Sequence, residues 1–159
     1  MASGDFVTTW VDGVADSSES TAVTKYDGSG DITGMVLNTN VLSIGSVDDQ
    51  SLTLTNLGQY DAGNNEDVMF TSDSGTLDVE GSTNSYSDET ISVLSGDTLT
   101  IGGSETLETD NVTNAGTLAS GGSSTYTVIG DWTNNGTFTG NTSTVTLSAS
   151  NAGGTGTKT

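Results

Sequence analysis

Carboxylates are the side chains in this sequence most suited to chemistry. The chain carries 21 Asp and Glu residues and two Lys, and it contains no His, Cys, Arg or Pro. Histidine acid–base catalysis, thiol nucleophiles, Arg clamps and serine triads are therefore excluded. A carboxylate pair for glycoside hydrolysis remains, and its candidates are Glu105, Glu108 and Asp110. Close pairs arise by chance among so many acidic residues, so the sequence predicts a protein without catalytic residues or enzyme activity.

A second group of oxygen-bearing side chains lies in a polar loop between residues 56 and 67. Asp61, Gly63, Asn65 and Asp67 occupy alternate positions there. Hard cations such as Ca²⁺ prefer oxygen ligands, which Asp61, Asn65 and Asp67 carry. The loop lacks the fixed Gly and the terminal Glu of the EF-hand calcium loop, so a hydrated acidic loop is the simpler interpretation. Calcium at these three residues stays a hypothesis, and no other cofactor is predicted.

The overall charge restricts the partners of the chain. The formal net charge is −19, and the uncharged part is rich in small polar residues, with 22 Gly, 29 Thr and 22 Ser. Nucleic acids and anionic membrane surfaces are disfavoured as partners, because binding them requires clustered Lys or Arg. No run of apolar residues approaches the length of a membrane span, so membrane insertion is not predicted either.

The elements that carry these residues are predicted to be short strands in a repeat. Val112–Leu118 reads VTNAGTL and Trp132–Phe138 reads WTNNGTF, an offset of 20 residues. Thr125–Val128 and Thr144–Leu147 match at an offset of 19 residues. A period of this length with strands and turns is typical of a β-solenoid, in which each coil buries its apolar row against the next. Two β-hairpins in a β-sandwich are the alternative, since Asn-Gly is also a strong hairpin signal.

Stacking of coils predicts the core of the repeat. Like residues fall above one another in a solenoid, so the apolar members of each unit form inward-facing columns. The Asn and Gly residues of each unit are predicted to supply the positive φ that a tight turn requires. The aromatic residues are assigned to the core rather than to a surface that stacks on sugars. The predicted core residues are Val112, Leu118, Trp132, Phe138, Val145 and Leu147.

Thr-x-Thr pairs predict rows of hydroxyls on the outward faces of the strands. Such rows satisfy the solvent-facing side of a sheet, and in repeat solenoids they also bind ice or carbohydrate. The sequence leaves both roles open. The pairs are Thr53/Thr55, Thr98/Thr100, Thr125/Thr127 and Thr144/Thr146.

The fold class predicted for the whole chain is all-β with almost no helix, either β-solenoid-like or a β-sandwich, with short strands and Gly/Asn turns. Residues 1–24 are predicted to be an N-terminal attachment segment, with an edge strand of the same domain as the alternative. Residues 25–90 are predicted to form a β domain, as a sandwich or as the first coils. Residues 91–150 form the solenoid-like repeat region, and residues 151–159 form a tail.

Two apolar segments in the first half are predicted to be buried strands. Ile32–Leu37 and Asn40–Ile44 are the most apolar pieces of the chain, and both are bounded by Gly or Asn. They are too short for helices, so we expect strands that are buried on both faces.

Four segments of the second half carry a resemblance to known repeats. Ser95–Gly103, Val112–Leu118, Gly130–Phe138 and Ser143–Leu147 resemble the right-handed β-helix repeats of bacterial surface adhesins and of virion spike and fibre proteins. The resemblance covers residues 91–150. It implies a secreted or surface-exposed structural role with glycan adhesion, and it transfers no catalytic residues. The chain is shorter than those adhesins and begins without a secretion signal.

The first residues decide between two structural roles. Met1-Ala-Ser-Gly is typical of a native translation start and has no secretory signal. We therefore expect a non-enzymatic structural protein on the virion surface, a capsid decoration or short fibre or spike protein that contacts capsid or other virion proteins. The alternative is an extracellular adhesin or filament subunit that binds glycans or like subunits. Either role predicts a homo-oligomer, as a trimer or lattice-bound copies, because the end strands of a stack need covering.

Overall fold

The structure, a computed structural model, describes residues 1–15, 18–60, 67–79 and 88–148. In these residues the chain forms a β-solenoid built from stacked parallel strands. The helical elements described are a four-residue helix, α1 (Leu54–Leu57), and a 3-10 turn at Gly58–Tyr60. The predicted all-β fold with almost no helix is confirmed, and a solenoid rather than a sandwich is observed.

Fifteen short strands make up the described part of the solenoid. In chain order they are β1 (Phe6–Trp10), β2 (Ser20–Lys25), β3 (Val41–Ile44), β4 (Ser51–Thr53), β5 (Thr71–Asp73), β6 (Thr76–Asp78), β7 (Thr90–Val93), β8 (Thr98–Ile101), β9 (Thr106–Thr109), β10 (Asn111–Asn114), β11 (Thr117–Ser120), β12 (Thr125–Val128), β13 (Trp132–Asn134), β14 (Thr137–Thr139) and β15 (Thr144–Leu147).

The strands form three sheets, which are the three sides of the solenoid. Sheet A has the order β1-β2-β3-β7-β10-β13, sheet B the order β14-β11-β8-β4, and sheet C the order β15-β12-β9-β6-β5. The chain visits A, B and C in turn, so β7-β8-β9, β10-β11-β12 and β13-β14-β15 are three regular coils. Among the described strand pairs, only β1–β2 and β5–β6, at the edges of sheets A and C, are antiparallel. The strands of residues 25–90 pair directly with those of the repeat region, since β3 pairs with β7.

Alternation along each strand explains why the coils stack. The regular strands show a buried residue at every second position, with Thr commonly between. Leu52, Leu99, Leu118 and Phe138 are neighbours in register on sheet B, so they form one apolar column that faces inward. A coil cannot bury such a row alone, and the adjacent coil supplies the missing apolar surface.

The corner between sheets A and B corrects the predicted role of the repeat glycines. Gly116 and Gly136 do not have positive φ. A Cβ on Gly116 would lie less than 3.0 Å from the carbonyl oxygens of Leu94 and Asp97, and one on Gly136 would lie equally close to the carbonyl of Gly116. Glycine is required because the backbones of successive coils approach closely at this corner, and the chain passes from one sheet to another instead of forming a hairpin.

The Asn of the same corner is buried instead of turning the chain. Asn114 is fully buried, and its Nδ2 donates to Oδ1 of Asn134 at 2.7 Å and to the carbonyl oxygen of Thr137 at 2.9 Å. These bonds join two successive coils through side chains as well as through the strands. The paired Nδ2 ties the two coils together, whereas the buried Oδ1 of Asn114 has no hydrogen-bond partner within the described residues.

One of the two apolar segments of the first half is not a strand. Asn40–Ile44 contains β3, as predicted, but Ile32–Leu37 has no regular structure. Val36 and Leu37 are 37% and 41% exposed. The prediction for Ile32–Leu37 was wrong because an apolar run without alternation or a neighbouring strand in register gives no coil surface to pack on.

The two ends of the stack differ. At the N-terminal end, β1 pairs with β2, and Phe6 and Trp10 pack against the core. At the other end, Val112 and Leu118 are buried, Trp132 is 9% exposed and Phe138 is half-buried. Val145 and Leu147 are 37% and 42% exposed, contrary to their assignment to the core. They belong to the last described coil, so no further described coil covers them.

Candidate interaction surfaces

Sheet B presents a double column of hydroxyls on its outer face. The strand register places Ser51, Thr98, Thr117 and Thr137 in one column and Thr53, Thr100, Ala119 and Thr139 in the other. Neighbouring positions within a column are about 4.8 Å apart, and the two columns are about 6.6 Å apart, by standard strand geometry. The outer face is therefore a regular array of hydroxyls with one gap, at Ala119.

Three of the four predicted Thr pairs lie on outer faces of strands. The exception is the pair Thr53/Thr55. Thr53 lies on the outer face of β4, and its hydroxyl caps helix α1 by accepting a hydrogen bond from the N–H of Asn56, whereas Thr55 lies within that helix. Thr137/Thr139 on β14 was not predicted, although it has the same Thr-x-Thr spacing. The Thr-x-Thr spacing alone would have predicted this pair from the sequence.

Sheet C shows where the acidic part of the solenoid ends. Asp78, Glu108, Thr127 and Thr146 are register neighbours in one outward column. The carboxylates of the earlier coils are thus replaced by hydroxyls in the last two coils. The whole sequence follows the same division, since 20 of the 21 carboxylates precede residue 111 and Asp131 is the only later one.

An acidic corner precedes the strands of sheet A. Glu19, Glu89 and Asp110 are each followed directly by a strand of this sheet and are 1%, 4% and 1% exposed. Backbone hydrogen bonds join Glu89 to Asn111, and Oδ2 of Asp110 accepts the N–H of Asp88 at 2.8 Å. This corner could not be predicted from the sequence, because the three residues align only when the coil register is known.

Asp97 joins two coils through its carboxylate. It is fully buried, and its two oxygens accept the N–H of Gln50 at 2.9 Å and the N–H of Ser46 at 3.2 Å. Gly45 has φ of 121° and lies so close to this carboxylate that a Cβ there would overlap it. Burial raises the pKa of the Asp97 carboxyl, as do the charges of Asp49 and Asp48, and the two N–H donors oppose them.

The raised pKa predicts that acid stabilises the fold. Above the usual value of 3.8, folded Asp97 holds its proton more tightly than the unfolded chain does, so the free energy of unfolding falls as pH rises through this window. We expect the urea midpoint to fall as pH rises above the usual value of 3.8, and Asp97→Asn to reduce that fall. An unchanged fall in the variant would contradict the assignment to Asp97.

Asp27 gives a control of opposite sign. Hydrogen bonds from the backbone N–H and the hydroxyl of Ser29 lower the pKa of the Asp27 carboxyl. Stability that depends on Asp27 is present above the usual pKa and is lost as pH falls through the lowered value. Asp27→Asn should therefore not reduce the fall in stability with rising pH that is assigned to Asp97.

The calcium hypothesis falls mostly outside the described residues. Asp61 and Asn65 lie among residues that the structure does not describe. Asp67 is described, and its Oδ1 accepts the N–H of Gly13 at 2.9 Å. Among the residues with described positions, no group of three acidic side chains is arranged to hold a metal ion. Calcium stays a prediction.

The three carboxylates considered for glycoside hydrolysis have different surroundings. Glu105 accepts a hydrogen bond from the N–H of Gly102 within its own turn. Glu108 lies on the outer face of β9, and Asp110 is buried in the acidic corner. The hydrogen bonds of Glu105 and Asp110 organise turns and corners of the coils.

Three aromatic rings meet at the C-terminal end of the core. Tyr126, Trp132 and Phe138 contact one another edge to face, with ring centroids 5.1 to 6.3 Å apart. Tyr126 is buried, and its hydroxyl donates to the carbonyl of Ala119 at 3.1 Å. Burial raises the pKa of Tyr126 to about 12. The rings are engaged with one another, which is the core role the sequence indicated for Trp132 and Phe138.

None of the helices in the described ranges is long and apolar enough to cross a membrane.

The chain was compared with protein families, curated proteins and solved structures. No protein-family model, curated protein or solved structure matches the chain.

Proposed function

We propose that this chain is a non-enzymatic structural protein on the outside of a virus particle, a capsid decoration or short fibre or spike protein that acts through subunit contacts. The observation that carries the proposal is the coil-on-coil stack, in which apolar side chains fill the interior and hydroxyls line the outer face of sheet B. Such a stack presents sides of regularly spaced strands, which suit a contact surface.

The buried polar groups support the same proposal. Asp97 connects a loop of one coil to the next coil, and Asn114 connects the last two coils. Both side chains hold coils together, and stable stacking of the coils is what a structural protein that acts through its surface needs.

Locating the chain in its source tests the proposed role. Particles released from the source culture are separated from cell envelopes on a density gradient, and an antibody to the chain detects it in each fraction. We expect the chain to sediment with the particles and their capsid proteins. Detection only in the envelope fraction would favour an adhesin, and detection only inside cells would overturn both roles.

A secreted adhesin is the second candidate, and the hydroxyl array of sheet B favours it. Two columns of hydroxyls at regular spacing match the repeating hydroxyls of an ordered polysaccharide surface. Binding to insoluble cellulose or chitin tests this candidate. Replacing Thr98 and Thr137 by Val should weaken such binding about tenfold, a loss of about 1.4 kcal/mol, whereas the same change at Thr125 and Thr144 on sheet C should not. Equal effects, or no binding by the wild type, would exclude this array as the site.

A further inference from the structure

The last coil leaves an apolar strand edge open in the described residues. On β15, the N–H of Thr144 bonds back to the carbonyl of Ser124 in the preceding coil. Alternate residues of a strand direct their backbone groups to opposite sides, so Val145 and Leu147 direct theirs away from the stack. The side chains of the same two residues are 37% and 42% exposed. Strand edges of this kind pair readily with another strand.

The charge distribution selects what can cover this edge. Residues 111–148 contain one carboxylate, Asp131, whereas residues 1–110 contain 20. Two copies of a chain with a net charge of −19 repel one another at most orientations. Contact through the last coils places four nearly neutral coils between the two acidic parts, a separation of about 19 Å at about 4.8 Å per coil. That distance exceeds two Debye lengths of about 8 Å at physiological ionic strength.

The sequence that directly follows the last described residue is poorly suited to cover the edge. Residues 149–159 read ASNAGGTGTKT and contain no Val, Leu, Ile, Met or aromatic residue. They offer little apolar surface to bury Val145 and Leu147.

We propose that the last coil, β13-β14-β15, is the interface through which two copies of this chain associate end to end about a two-fold axis. A two-fold axis across the solenoid reverses the direction of each coil, so the facing strands of the two copies run antiparallel and can form hydrogen bonds. The interface is isologous, and Val145 and Leu147 of each copy meet the same end face of the other. The inference rests on the proposed structural function, which requires subunit contacts, but it specifies a pair in place of the expected trimer or lattice.

The area of the end face sets the expected affinity. Each side contributes a strand of three or four residues, which is roughly 10 to 13 Å long. This face is smaller than the roughly 800 Å² per partner of a standard stable interface. We therefore expect reversible association at micromolar concentrations.

Sedimentation equilibrium of the full chain over a range of concentrations tests the interface. The wild type should show a monomer–dimer equilibrium whose upper limit is twice the 16.0 kDa mass. Val145→Asp places like charges opposite each other across the two-fold axis and should weaken association about tenfold or more. Thr146→Asp is the matched control, because it adds the same charge on the same strand but on the outer face, and it should change association less than threefold.

Charge reversal distinguishes this arrangement from others. A mixture of Val145→Asp and Val145→Lys should recover association to within about threefold of the wild type, because opposite charges then meet in the mixed pair. In head-to-tail stacking, Val145→Lys alone would associate more tightly, because it would meet the acidic first coils. Tighter association of Val145→Lys alone would overturn the proposal. So would a wild type that stays monomeric, a wild type that forms a trimer, or a Val145→Asp variant that associates as the wild type does.

These outcomes are independent of the particle experiment. Association in solution does not depend on where the chain is found in its source. A pair in solution with no chain on particles would overturn the proposed function alone. A monomer that sediments with particles would overturn the interface alone. Circular dichroism of each variant checks that its strands are retained.

Discussion

Gly116→Ala should lower the free energy of unfolding by at least about 3 kcal/mol, the upper range for forcing an extra methyl group into a packed site. The added Cβ would lie less than 3.0 Å from the carbonyl oxygens of Leu94 and Asp97. Both atoms belong to the backbone of the preceding coil, so neither can move without separating the strands of two coils. Urea unfolding followed by circular dichroism measures the change.

Gly103→Ala is the matched control for this prediction. Gly103 also lacks positive φ, but the nearest atom to an added Cβ is the carbonyl oxygen of Gly121 at 3.5 Å. An unstrained Gly→Ala change stabilises by reducing the entropy of the unfolded chain, so this variant should stay within about 1 kcal/mol of the wild type. If the two variants were equally stable, the close approach of coils at the corner would be wrong.

Leu118→Ala should lower the free energy of unfolding by about 2 to 5 kcal/mol, the usual cost of removing a fully buried Leu side chain. Leu118 is 0% exposed and lies between Leu99 and Phe138 in the inward column of sheet B. The cavity would reduce packing with the coils on both sides, and neighbouring contacts supply most of the stability of a solenoid. Urea midpoints monitored by tryptophan fluorescence follow the loss, since Trp132 lies in the last coil.

Leu147→Ala makes the same chemical change where the stack ends. Leu147 is 42% exposed, so truncation removes less buried area and leaves no enclosed cavity. We expect a cost of about 1 kcal/mol or less in dilute solution. Equal costs at Leu118 and Leu147 would contradict the placement of one inside the stack and the other at its open end.

The repeat region could be predicted because its side chains recur at the coil spacing. Val112 pairs with Trp132 and Leu118 pairs with Phe138, as the offset of 20 residues required. Alternation of apolar residues with Thr then indicated which side of each strand faces inward. The role of Gly116 was missed, because a glycine needed for close approach of two backbones has the same one-letter signal as a glycine needed for positive φ.

The first half was less predictable because its spacing is irregular. Val41 pairs with Thr90, an offset of 49 residues, since α1 and the β5–β6 hairpin interrupt that coil. Ser20 pairs with Val41 at an offset of 21 residues, close to the period, but residues 26–40 between them contain no strand. A search for the 20-residue period therefore does not pair β3 with β7, although the two strands are neighbours in sheet A.

The buried polar groups depend on register in the same way. Asp97 is 51 residues from Ser46 and 47 residues from Gln50 in the chain, yet its carboxylate accepts hydrogen bonds from the N–H groups of both. Local sequence around Ser95-Gly-Asp97 indicates only a turn. The role of Asp97 in linking two coils can be predicted only when β3 and β7 are known to be neighbours.

Long-range nuclear Overhauser effects in the isotopically labelled protein test the central claim, that successive strands occupy different sheets and pair one coil apart. We predict backbone contacts between β10 and β13, at Val112 with Trp132, and side-chain contacts from Leu118 to Leu99 and Phe138. Backbone contacts between Val112–Asn114 and Thr117–Ala119 across the Gly116 corner would instead indicate a hairpin and contradict the solenoid.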